Sequence, residues 1–177
     1  LESEMVLNIL GTEDILGKVS EGNYYFLLDG ASHFGGYKKF RVSLYHECEK
    51  REIKLLTVSK RSPTLQDERG RDFLPRICML SPHSIWVYYP IKRANKDEDL
   101  YGDISVVKLC ADSPRLFRCD IIEYLSDYDA CELLSPLTAI SEDPRCLGYP
   151  VTLWLAHDFS APSDSKLLHY HDQVEET

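Results

Sequence analysis

The chain has 177 residues, with 20 basic against 29 acidic side chains and a formal net charge of −9. That is the length of one ordinary domain, and the acidic balance excludes nucleic-acid binding by bulk charge, though not a local basic groove. Hydrophobic residues at 44% with 28% charged exclude a disordered or collagen-like chain. The longest apolar runs, Tyr24–Leu28 and Ile85–Tyr89, fall far short of the ~20 residues that span a bilayer. The expectation is a single domain over 1–177, off the membrane and cytoplasmic. Six cysteines are scattered without a C-x-x-C pair, which reads as buried thiols in a reducing compartment rather than a disulfide framework or zinc site.

In chain order, Glu2 to Leu10 reads as a short helix, with Met5 and Ile9 on one side and Gly11 as its stop. Tyr24 to Leu28 is apolar without alternation, the mark of a strand buried on both faces, and it ends at Asp29-Gly30. An acid at the carboxyl end of a central strand is the expectation. Tyr37 to Arg51 carries Phe40, Leu44 and Cys48 on one helical stripe, and Ile53–Ser59 is a strand leading into the basic turn Lys60-Arg61. The polar stretch 62–75 reads as a loop or insertion. Ser84–Tyr89, Ile104–Cys110 and Leu116–Tyr124 have the β-branched and aromatic content of three consecutive antiparallel strands, joined by the charged turn Lys92–Asp103 and the tight turn Asp112-Ser113-Pro114. Asp127–Ile140 is helical, Ser141–Pro144 breaks it, Pro150 opens a helix to Asp158, and Ser163–Glu176 is a polar helix. The sum is an α/β chain.

Leu27-Leu28-Asp29-Gly30 alone is ordinary turn chemistry. It is followed in order by Thr57-Val58-Ser59-Lys60, Val106-Val107-Lys108-Leu109, Phe117-Arg118-Cys119-Asp120-Ile121, and Gly148-Tyr149-Pro150 with Ala156-His157 beyond it. That ordered set resembles the NurA nuclease family, from near Glu4 to near Leu168. The resemblance implies an RNase H-like mixed sheet flanked by helices and metal-dependent cleavage of DNA. The activity would be of a 5'-3' exonuclease or single-strand endonuclease type, in double-strand break end resection. It further implies manganese as cofactor, with magnesium the alternative, a homodimer, and a HerA-like hexameric ATPase as partner. Carried over by motif, Asp29 is the strand-end acid, Tyr149 the site tyrosine and His157 the site histidine. Glu4 is the candidate for the helix glutamate, with Glu2 behind it, and Lys60 is a DNA contact. Asp29, Glu4 and His157 would be the metal ligands, because hard carboxylates bind such ions and manganese also accepts imidazole. His157 is expected within one ion's coordination span of Asp29. The family's first aspartate lies in a D-G-S-like strand that this sequence does not contain, so the expectation is an N-terminally truncated nuclease domain, inactive alone.

Lys108 and Arg118 sit in strands and face either a DNA groove or solvent. His169 and His171, as H-x-H on a helix, point to different faces and make a poor joint metal site. Trp86, Tyr88 and Tyr89 are core residues or a stacking platform for single-stranded bases. The competing function is a catalytically incomplete RNase H-like module that dimerises or binds the ATPase without cutting. A phosphatase with Asp29 as nucleophile is weaker, since no D-x-D follows that residue.

Overall fold

A computed structural model describes residues 24–32, 38–62 and 65–160 of the chain. The expected helices before Leu10 and after Ser163, with Glu2, Glu4, His169 and His171, lie outside the described residues.

Strand β1 (Tyr25–Asp29) is followed by helix α1 (Lys38–Lys50), strand β2 (Lys54–Ser59) and helix α2 (Phe73–Leu80). Strands β3 (Trp86–Lys92), β4 (Gly102–Lys108) and β5 (Phe117–Ile122) come next, and helices α3 (Ala130–Ala139) and α4 (Val151–Ser160) close the described chain. The strands make one five-stranded sheet in the order β1-β2-β5-β4-β3. β1 and β2 are parallel, which requires the crossover that α1 supplies. The other pairs are antiparallel, and β3, β4 and β5 form the expected meander. The result is the mixed α/β sheet foreseen from the sequence.

Alternation along the strands decides which helix covers which face. Leu56, Val58, Phe117, Cys119 and Ile121 pack with Leu133, Leu134 and Leu137 of α3 and Leu153 of α4. Their neighbours in sequence, Leu55 and Ile122, point the other way onto Leu44, Tyr45 and Cys48 of α1. On that second face, Val106 meets Leu74 of α2. Apolar strands without polar alternation thus follow from helices on both faces.

Two expectations are corrected. β1 is half-buried rather than fully enclosed, and it is the outermost strand among the described ones, with β2 beside it. Its apolar run reflects cover on both faces, since among the described strands it has a neighbour on one edge alone. The polar stretch 62–75 also does not run through as loop, because α2 begins at Phe73. The Asp72 side chain caps it by accepting from the Leu74 N–H at 2.9 Å. Pro75 sits in the first turn, where its missing N–H costs nothing.

Candidate functional site at the exit of β1 and β2

Two parallel strands end side by side, so whatever follows them shares one rim of the sheet. Asp29 is the last residue of β1 and pairs with Val58, and the Gly30 N–H still donates to Val58 O at 3.0 Å. The chain turns there at a positive φ of 125°, a conformation that glycine adopts without penalty. Lys60 follows β2 directly. Its Nζ lies 3.8 Å from Asp29 Oδ2, and with side chains 38% and 43% exposed both groups are open to a ligand.

The third member comes from the opposite end of the sequence. Tyr149 precedes α4 and is 2% exposed, packed at 5.3 Å between centroids on the Phe117 ring. Its hydroxyl lies 3.4 Å from Val58 O and faces the Asp29 carboxylate, while Lys60 Nζ stands 4.3 Å from the centroid of its ring. Burial first, and the Asp29 charge second, hold the phenol protonated well above its ordinary range. Tyr149 is therefore a hydrogen-bond donor here and not a base.

The turn that delivers Tyr149 explains the sequence around it. Leu147 and Gly148 both have positive φ, 52° and 83°. A Cβ on Gly148 would lie 2.5 Å from Ser113 Oγ, and that hydroxyl donates to Leu147 O at 2.6 Å. Pro150 then starts α4, since the N–H groups of Leu153 and Trp154 both bond its carbonyl.

Asp29, Lys60 and Tyr149 therefore meet. His157 lies on α4, exposed, and its side chain makes no hydrogen bond or ion pair with another described residue. Among the described residues no three His, Cys, Asp or Glu side chains gather where they could hold a metal ion. One half-exposed carboxylate facing an ammonium is too few ligands for a divalent cation, so the described residues do not by themselves fit the metal centre the resemblance implies.

Neither reading of Lys108 and Arg118 holds. Lys108 is buried and its Nζ donates to Pro82 O at 3.2 Å. Arg118, 1% exposed, forms a buried pair with Asp120, a residue given no role by the sequence reading. A signal was available: opposite charges two apart in an apolar strand share one face, so they can satisfy each other inside a core. Tyr89 is tied by its hydroxyl to Asp103 at 2.7 Å, and Tyr88 is exposed. The described cysteines are free; Cys48, Cys119 and Cys146 are buried as expected, whereas Cys78 and Cys110 are half-buried and Cys131, on the outer side of α3, is exposed.

The class of protein defined by these features is an α/β fold with a carboxylate, an ammonium and a buried phenol at one rim of its sheet. Among solved structures, the chain is similar to the NurA nuclease from Sulfolobus solfataricus, with a TM-score of 0.61 and 16% identity. The match covers 99% of this chain and 66% of that one, and it makes the fold NurA-like. No protein-family model matches the sequence, and no curated protein does. No helix among the described residues is long and apolar enough to cross a membrane.

Proposed function

We propose that this chain acts in a NurA-like nuclease that cleaves DNA at the rim formed by Asp29, Lys60 and Tyr149. The observation that carries the reading is their convergence, on a fold of that kind, from three distant stretches of sequence. Phosphodiester cleavage needs a cation to neutralise a phosphate oxygen and an anion to orient or deprotonate the attacking water. Lys60 supplies the first and Asp29 the second. The protonated Tyr149 hydroxyl, fixed beneath them, holds the carboxylate in place. His157, one helix away, is proposed to protonate the leaving oxygen once DNA lies across the rim.

Manganese is the proposed cofactor, which Glu4 and Asp29 would hold; His157 would join them as a ligand in place of its acid role. The finer reading also adds a homodimer and a HerA-like hexameric ATPase in end resection. These parts rest on the motif resemblance. Mass measurement and co-purification with such an ATPase test the assembly, and a manganese against magnesium titration of cleavage tests the cofactor.

The deciding experiment compares the full-length protein carrying this sequence with its Asp29→Asn variant, which keeps the side chain's size and removes its charge. Cleavage is expected to fall by orders of magnitude, with unchanged melting temperature and DNA affinity equal or higher. Near-normal cleavage by a folded Asp29→Asn protein would remove Asp29 from the site. A full-length protein carrying this sequence that binds DNA and the ATPase without cutting would select the non-catalytic alternative.

A further inference from the structure

The Arg118–Asp120 pair lies on the face of the sheet away from Asp29. Asp29 pairs with Val58 and Val58 with Cys119, whereas Arg118 and Asp120 flank Cys119 and so project the other way. Arg118 Nε donates to Asp120 Oδ1 at 2.6 Å and Nη2 to Oδ2 at 2.7 Å, a two-point pair with both residues fully buried. Desolvation cancels much of the attraction in such a pair, and apolar residues of similar volume hold a core as well or better.

What apolar residues cannot do is grip the loops that leave the strands. Asp120 Oδ2 also accepts from the Ser32 N–H and from Ser32 Oγ, each at 2.8 Å. Arg118 Nη1 reaches Ser62 Oγ at 3.4 Å. Ser32 and Ser62 are themselves buried. Ser32 follows Asp29 by three residues and Ser62 follows Lys60 by two. One ion pair is therefore tied, through two serines, to both strand exits that carry the charged groups of the site.

We propose that Arg118 and Asp120 are positioning residues that set the spacing of Asp29 and Lys60 from the far side of the sheet. The chemical use of that spacing rests on the nuclease reading, but the spacing itself does not. A shift of about 1 Å at a reacting group can cost as much as 100-fold in rate, so a clamp on both loops at once is consequential.

The test reads the spacing directly. A carbodiimide couples a carboxylate to a neighbouring ammonium as an amide with loss of water, and peptide mass spectrometry of the full chain measures the Asp29–Lys60 product. Two variants are compared with wild type: Ser32→Ala with Ser62→Ala, and Arg118→Met with Asp120→Leu. The serine deletions are small, and the apolar pair removes both members of the ion pair together, so neither is left facing a missing partner. In both variants the amide yield is expected to drop while the melting transition stays cooperative, and kcat for DNA cleavage should fall about tenfold. Wild-type amide yield in either folded variant would overturn the proposal and leave the pair a purely structural element. If the full-length protein carrying this sequence cleaves no DNA, the nuclease reading fails and the cross-link yield still decides the positioning role.

Discussion

Lys60 stands between a carboxylate and a phenol ring, and neither contact gives it much to do for stability. A half-exposed ion pair contributes ~0–1 kcal/mol and an exposed cation–π contact ~0.5–1 kcal/mol. Lys60→Met should therefore shift the melting temperature by only a few degrees. If Lys60 meets phosphate, the same change weakens DNA binding for every sequence alike and lowers the slope of log affinity against log salt by about 1; an unchanged slope would take Lys60 out of the DNA contact. Tyr149 invites the opposite comparison, since its ring is core and its hydroxyl belongs to the site. Tyr149→Phe keeps the Phe117 contact and loses about 1 kcal/mol at most, whereas cleavage should drop because Asp29 loses its donor. His157 is exposed and adds little to packing, so His157→Ala should lower turnover at an unchanged melting temperature. A lower melting temperature with intact turnover would return it to a structural role. At this scale the nearness of Asp29 and Tyr149 was legible because motif order put both in one set; the contact of Lys60 with each of them was not, because a turn lysine reads as solvent-facing. Arg118 and Asp120 were not, because a charged side chain reads as solvent-facing until its partner on the same strand face is counted.

The elements that carry the site owe their geometry to turns more than to strand or helix propensity. Leu147-Gly148 is the sharpest case: only a residue without a Cβ fits against Ser113 at a φ of 83°. Gly148→Ala combines left-handed strain with overpacking and should cost roughly 2–4 kcal/mol. Because Tyr149 follows directly, the variant should also lose cleavage in the fraction that still folds. Denaturant unfolding measures the first effect, and a loss under 1 kcal/mol would mean the turn can relax. At α2 the Asp72 cap predicts about 1 kcal/mol lost in Asp72→Ala. The strands and the helices α1, α3 and α4 were legible because their apolar runs are long and clearly punctuated. α2 was missed because Pro75 reads as a terminator, although a proline in the first turn of a helix breaks nothing. The place of β1 in the sheet was misread for a different reason. A run with apolar side chains on both faces reports cover above and below, and says nothing about neighbours to left and right.

At the scale of the whole molecule, the two faces of the sheet bury phenols and thiols alongside aliphatic side chains, and this gives the fold a pH limit. Burial pushes the Cys48 thiol up from 9.0 to about 12. Burial and the hydrogen bond to Asp103 push Tyr89 from 10.0 to about 12. Tyr45, Tyr124, Tyr149 and Cys119 move in the same direction, each with burial as the leading cause. These groups are divided between the clusters on the two faces of the sheet, so no single loosened helix relieves them all. The folded state keeps its protons through a range in which the unfolded chain has released them. It therefore binds more protons than the unfolded state between the ordinary values and the raised ones, and stability falls as pH rises through that window. The full contribution is present below about pH 9 and declines from there to about pH 12. Each group held neutral across one pH unit costs about 1.4 kcal/mol, which for a domain of this length is about 3–6 °C in Tm. Thermal unfolding at pH 8, 9, 10 and 11 should give a plateau and then a steepening drop. A melting temperature that stays level through pH 11 would show that these phenols and thiols reach water in the folded state.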